Sequence, residues 1–142
     1  MSEWRFTLVG MEVTAEQIAR VPAENLRVSR AHFAALWAVA EELGSRPARG
    51  DQYLLGVIYT CRWLATQSVW STVSRRWEVP TAPLTGRGHR AMPETIEAEY
   101  LAAATAPEFQ RDRARGVMAT LDWCWHGSRR PPLEISAPSA AG

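Results

Sequence analysis

All sixteen Lys+Arg positions of this 142-residue chain are arginine, and none is lysine. A Schiff-base lysine, a phosphate loop ending in Gly-Lys-Ser/Thr and a lysine general base are therefore excluded. Arginine offers instead a planar fork suited to carboxylate or phosphate. Its densest cluster is Thr85-Gly86-Arg87-Gly88-His89-Arg90, just ahead of Pro93. Two glycines let backbone amides approach a ligand, and a helix starting at Pro93 would add partial positive charge. Arg87, His89 and Arg90, with Arg75 and Arg76, are thus candidates for binding an anion or nucleic acid. The competing reading is a solvated loop.

Arg62 is the most specific oddity. By helical phase it falls among Leu55, Ile58, Val69 and Val73, on the apolar side of a long helix. A buried arginine requires a carboxylate, because an unpaired internal charge is prohibitive. Glu94, Glu97 and Glu99 are the expected partners, either as a structural ion pair or around a pocket that holds an anionic ligand.

A third basic feature lies near the N-terminus. Thr14–Arg20, a break at Pro22 and then Leu26–Phe33 resemble a helix, a turn and a recognition helix, with Arg27, Ser29 and Arg30 placed to reach base edges. The connector Arg20–Val28 is long for that motif. Elsewhere, Trp123 falls on the polar side of the last helix, either as an exposed partner anchor or covered by the tail through Pro132 and Leu133. Cys61 and Cys124 sit in apolar stretches and read as buried reduced thiols. Cys124 and His126 lack the paired spacing of a zinc site, so neither a metal nor a cofactor is expected. There is no Gly-x-Ser-x-Gly elbow and no His-Glu-x-x-His motif. The trio Glu94, Glu97 and Glu99 retains acid/base capacity, although glutamate on an amphipathic helix is first a surface residue.

The elements that must position these groups are mostly helices. Trp4–Leu8 alternates like one short strand. Thr14 and Gln17 make a capping-box pattern before a helix that Pro22 stops. Ser29 caps a second helix ending at Gly44, with an apolar stripe of Phe33, Leu36, Trp37, Ala40 and Leu43. After a Pro/Gly/Arg linker, Asp51 caps a long core helix expected to run to about Trp77. Val79–Met92 reads as a loop. Pro93 opens a helix to about Ala104, Thr105 and Glu108 suggest a further capping box, and a last helix runs to His126. The pattern predicts an all-α, single-domain bundle of about five helices over residues 1–128. A Pro/Ser/Ala-rich tail follows over 129–142.

Net charge is +1, so no global field draws the chain to nucleic acid or to an anionic membrane. The charge is nonetheless blocked. Residues 62–90 hold five Arg and one Glu, residues 91–110 four Glu and no Arg, and residues 111–130 five Arg and two Asp. Either successive segments neutralise one another, or the first and third blocks form a basic face for an acidic partner or phosphate. The arginine bias with twenty-two Ala and one Asn also fits a GC-rich bacterial coding sequence. No signal peptide or membrane span is expected, which points to the cytoplasm. The leading expectation is a small helical protein that acts non-catalytically, through a protein partner or a second copy of itself. The alternatives are a nucleic-acid-binding regulator, and an enzyme or small-ligand sensor with an anion pocket near Arg62.

Overall fold

The computed structural model describes residues 13–46, 51–66, 69–71 and 73–135. The expected Trp4–Leu8 strand, most of the linker and the end of the tail lie outside them. Among the described residues the fold is all-α with five helices: α1 (Ala15–Ala19), α2 (Arg30–Gly44), α3 (Gln52–Leu64), α4 (Pro93–Ala104) and α5 (Arg111–Cys124). One short antiparallel hairpin, β1 (Val69–Ser71) and β2 (Arg76–Glu78), interrupts the series.

The N-terminal caps act as their residue types dictate. Thr14 Oγ1 accepts from the Gln17 amide, and the Gln17 side chain accepts from the Thr14 amide in return. Ser29 and Asp51 accept from the amides of His32 and Leu54 to start α2 and α3. At α4 the roles invert, since Met92 has no capping oxygen. Thr95 Oγ1 turns back to accept from the Met92 amide. The capping box expected at Thr105 does not form. Thr105 donates to the Leu101 carbonyl within α4, and the chain restarts after Pro107 through a short 3-10 turn, Glu108–Gln110.

α3 ends at Leu64 and does not continue to Trp77. Thr66 takes a left-handed backbone (φ 55°), and the following β-branched and aromatic residues favour extended pairing over helix. The pairing aligns Val69 with Glu78, Trp70 with Trp77 and Ser71 with Arg76. Val73, expected on the apolar side of that helix, and Trp77, expected at its end, are instead 93% and 65% exposed.

The core forms around α3, which packs most extensively on α5 and also on α2; α4 covers another side of α5. The α3–α5 approach rests on two glycines. A Cβ on Gly56 would overlap the Arg113 carbonyl, and one on Gly116 would overlap the Tyr53 carbonyl. One turn later on each helix, Thr60 and Thr120 donate to the Gly56 and Gly116 carbonyls at 2.6 and 2.8 Å. Two backbones thus meet without side chains between them, as in other small-residue helix contacts. Val57, Ile58, Leu64, Val117 and Leu121 fill the core on either side. Past α5, Tyr53 Oη donates to the Pro132 carbonyl at 2.9 Å, and Leu133 and Ile135 lie half-buried against the core.

Candidate functional site

The connection from α3 to α4 carries the hairpin and the loop 79–92, and most of the candidate residues sit there. Arg75, Arg76, Arg87, His89 and Arg90 are all exposed. None of these four arginines is in an ion pair among the described residues, so none makes a direct salt bridge to the acidic helix α4. Val73 and Trp77 share the hairpin segment with Arg75 and Arg76, and Val79, 62% exposed, follows it. Arg90 and Val79 meet across a cavity of about 300 Å³ that Trp63, Thr66, Pro80 and Ala91 complete.

The loop is held from below. Glu99, buried at 3% exposure, accepts from the amides of Leu84 and Thr85 and from the Thr85 hydroxyl, at 2.5, 2.9 and 2.9 Å. Trp63 Nε1 donates to the His89 carbonyl at 2.8 Å. Asn25, fully buried, donates to the carbonyls of Leu64 and Ala91, tying the end of α3 to the start of α4. A cavity of about 490 Å³ lies between this loop and α4, with Arg87, His89, Glu94 and Glu99 among its walls.

On the other side of the loop, Arg62 is buried as its helical phase demands. Its partner, however, is Glu41 of α2 and not Glu94, Glu97 or Glu99. Nε and Nη2 donate to the two Glu41 oxygens at 2.8 and 2.9 Å, and Trp37 Nε1 donates to the same carboxylate at 2.9 Å. Glu41 lies one turn beyond Trp37 on the stripe that α2 turns toward α3, which places it across from Arg62. The acidic helix is committed elsewhere. Glu97 accepts from Trp125 Nε1 and from His126, Glu99 holds the loop, and Glu94 is exposed. Arg62 also adjoins a cavity of about 320 Å³ shared with Tyr59, Val79, Pro80, Thr81, Ala82, Pro83, Leu84, Gly86 and Arg113.

The helix-turn-helix candidates Arg27, Ser29 and Arg30 are exposed, and both arginines also bond within the chain. Arg30 donates through Nε and Nη2 to the Val21 carbonyl at 3.1 and 2.6 Å. Arg27 donates to the Glu24 carbonyl and stacks 4.5 Å above the Trp125 ring. Trp123 is not an exposed anchor either, since it is 6% exposed. α5 packs against both α3 and α4, and Trp123, Cys124 and Trp125 at its end are all buried.

One cluster was not anticipated. His126 lies between Glu97 at 3.0 Å and Asp122 at 3.3 Å, Tyr100 donates to Asp122 at 2.8 Å, and the Tyr100 and His126 rings meet edge-on at 4.6 Å. Partial burial pulls the His126 pKa down, but the two carboxylates outweigh it and hold it above its ordinary 6.5. The Trp125 and His126 bonds hold Glu97 below its ordinary 4.5. The only sequence signal was the i,i+4 spacing of Asp122 and His126. These groups have acid/base chemistry, yet neither His126 nor Glu97 lines any of the three cavities above. Cys61 and Cys124 are free and fully buried, and burial pushes both thiols well above their ordinary range, the opposite of nucleophile activation.

Among the described residues no group of His, Cys, Asp and Glu could hold a metal ion, and no helix is long and apolar enough to cross a membrane. No protein-family model, curated protein or solved structure matches the chain.

Proposed function

We propose that the chain works by binding a protein partner, through the face formed by the hairpin and the loop 79–92. The observation that carries this is the pairing of exposed apolar groups (Val73, Trp77 and Val79) with four exposed arginines outside any ion pair among the described residues. Exposing a tryptophan and two valines costs solvation, whereas Trp37, Trp63, Trp123 and Trp125 are all buried. Aromatic and arginine side chains are the types that dominate interface energetics. The partner that fits presents carboxylates around an apolar centre.

A second reading takes the same face as a single-strand nucleic-acid platform, with Trp77 as the stacking surface and Arg75, Arg76, Arg87 and Arg90 on the backbone. Photo-crosslinking separates the two. With p-benzoylphenylalanine replacing Val73 in source cells, the expected product is a protease-sensitive, nuclease-resistant adduct of defined mass. Charge reversal at Arg75 and Arg76 should abolish it. A nuclease-sensitive adduct would transfer the function to the second reading, and absence of any adduct would remove both.

A further inference from the structure

We propose that the cavity between α3, the loop 79–86 and α5 is a binding site for a small organic carboxylate with an apolar body. The site shares Val79 and the start of the loop with the partner face, but its charged walls, Arg62 and Arg113, lie outside that face. Its walls carry two arginines and no acidic side chain. Arg62 forms the floor, and its charge is balanced by Glu41. Arg113 is in no ion pair among the described residues, and its guanidinium is oriented rather than loose. Its Nε donates to Gln52 Oε1 at 3.1 Å, and its Cζ lies 5.4 Å from the Tyr59 ring centre. Holding a guanidinium by Nε and by one face leaves its terminal nitrogens for a ligand and removes the ordering cost that a loose arginine would incur.

The remaining walls select what accompanies the anion. Val79, Pro80, Pro83 and Leu84 are apolar and stiff, and Tyr59 adds a ring with a hydroxyl that bonds to no other described residue. The amides of Leu84 and Thr85 are already taken by Glu99, and that of Gly86 by the Ala82 carbonyl. The loop is therefore not a phosphate-cradling nest of free N–H groups, which favours a carboxylate with a hydrophobic body over a bare phosphate. At about 320 Å³ the cavity stands at the small end of ligand pockets, which run from roughly 300 to 1,000 Å³. A single ring with one acidic group is the scale that fits.

The test uses benzoate as probe, benzamide as its neutral isostere and inorganic phosphate as an anion without a body, followed by amide chemical shifts on the full chain. Benzoate is expected to saturate in the millimolar range, with shifts centred on residues 59, 79–86 and 113. Benzamide should bind about tenfold more weakly, as loss of a charge-assisted pair implies. Phosphate should not saturate. Arg113→Gln should weaken benzoate about tenfold, and Tyr59→Phe should weaken it less, both with unchanged thermal unfolding as the control. Equal affinity for benzoate and benzamide, indifference to Arg113→Gln in a folded variant, or no saturation by about 20 mM would each overturn the proposal. Charge reversal at Arg75 and Arg76 should leave benzoate binding unchanged, so failure of the partner face and failure of this site are separable.

Discussion

The buried Arg62–Glu41 pair illustrates how a single charge governs its surroundings. Both side chains are nearly inaccessible, at 6% and 2%. Removing one partner leaves an uncompensated internal charge, so Arg62→Met should cost about 3–5 kcal/mol in denaturant unfolding. Glu41→Leu combined with Arg62→Met should recover most of that loss, because two apolar groups replace two desolvated ions. Arg62→Lys loses the two-point fork and should destabilise measurably, whereas Arg46→Lys in the exposed pair with Glu42 should change stability by less than about 0.5 kcal/mol. Equal unfolding midpoints for the two lysine variants would mean that arginine is not physically required at position 62. His126 is the other residue whose charge matters. Its raised pKa means that its bridge to Glu97 and Asp122 stabilises fully below about pH 6.5 and is lost as pH rises through the folded value. Glu97 has the opposite sign, its contribution being present above about 4.5 and lost as pH falls through its lowered value. The α4–α5 bridge is thus strongest between them. A series of melting curves from about pH 5 to pH 9 should show the wild type losing more stability on the alkaline side than His126→Gln. Parallel curves would assign no role to the bridge.

The decisive element contact is α3 on α5. The two helices approach so closely at Gly56 and Gly116 that neither site has room for a methyl group. Alanine is the better helix former by about 1 kcal/mol, so propensity alone predicts that Gly116→Ala stabilises. Overlap with the Tyr53 carbonyl predicts the reverse, and since that neighbour is backbone it cannot swing aside. Overpacking of this kind typically costs 1–3 kcal/mol, which exceeds the propensity gain. Gly116→Ala should therefore lower stability by about 1 kcal/mol or more, and an unfolding midpoint above wild type would show that the helices part easily. Signals for this contact were present in the sequence, because an isolated glycine inside a strong helical pattern usually has a packing reason. The partner was not legible, since Gly56 and Gly116 are joined only by tertiary packing. The hairpin is the converse case. Val69, Val73 and Trp77 share a helical phase as readily as a strand, so periodicity alone favoured the continuous helix. The left-handed Thr66 and the strand pairing settled the alternative.

At the scale of the whole molecule, charge is divided between internal and external work. One arginine is sealed into the core and Arg27 and Arg30 brace the N-terminal segment, while Arg75, Arg76, Arg87 and Arg90 stand outside on one connection. Because the exposed four support no ion pair among the described residues, reversing Arg75 and Arg76 to glutamate should leave stability within about 0.5 kcal/mol of wild type. Thermal or urea unfolding of the purified variant checks this, and a large loss would show that these residues hold the hairpin and are not reserved for a partner.

What the sequence by itself determined is local. The helical bundle, the caps at Thr14, Ser29 and Asp51, the stripe of α2 and the burial of Arg62 all follow from spacing within one element, where 3.6-residue periodicity and side-chain–backbone bonds act over a few residues. The tertiary structure decided every pairing between elements: Glu41 with Arg62, Glu97 with His126, Glu99 with the loop, and Tyr59 with Arg113 over a cavity. Such pairs join residues from 14 to 54 positions apart, and here packing geometry chose among several carboxylates and arginines of equal local merit. Glu41 outranked three other glutamates because α2, and not α4, lies against the side of α3 that carries Arg62.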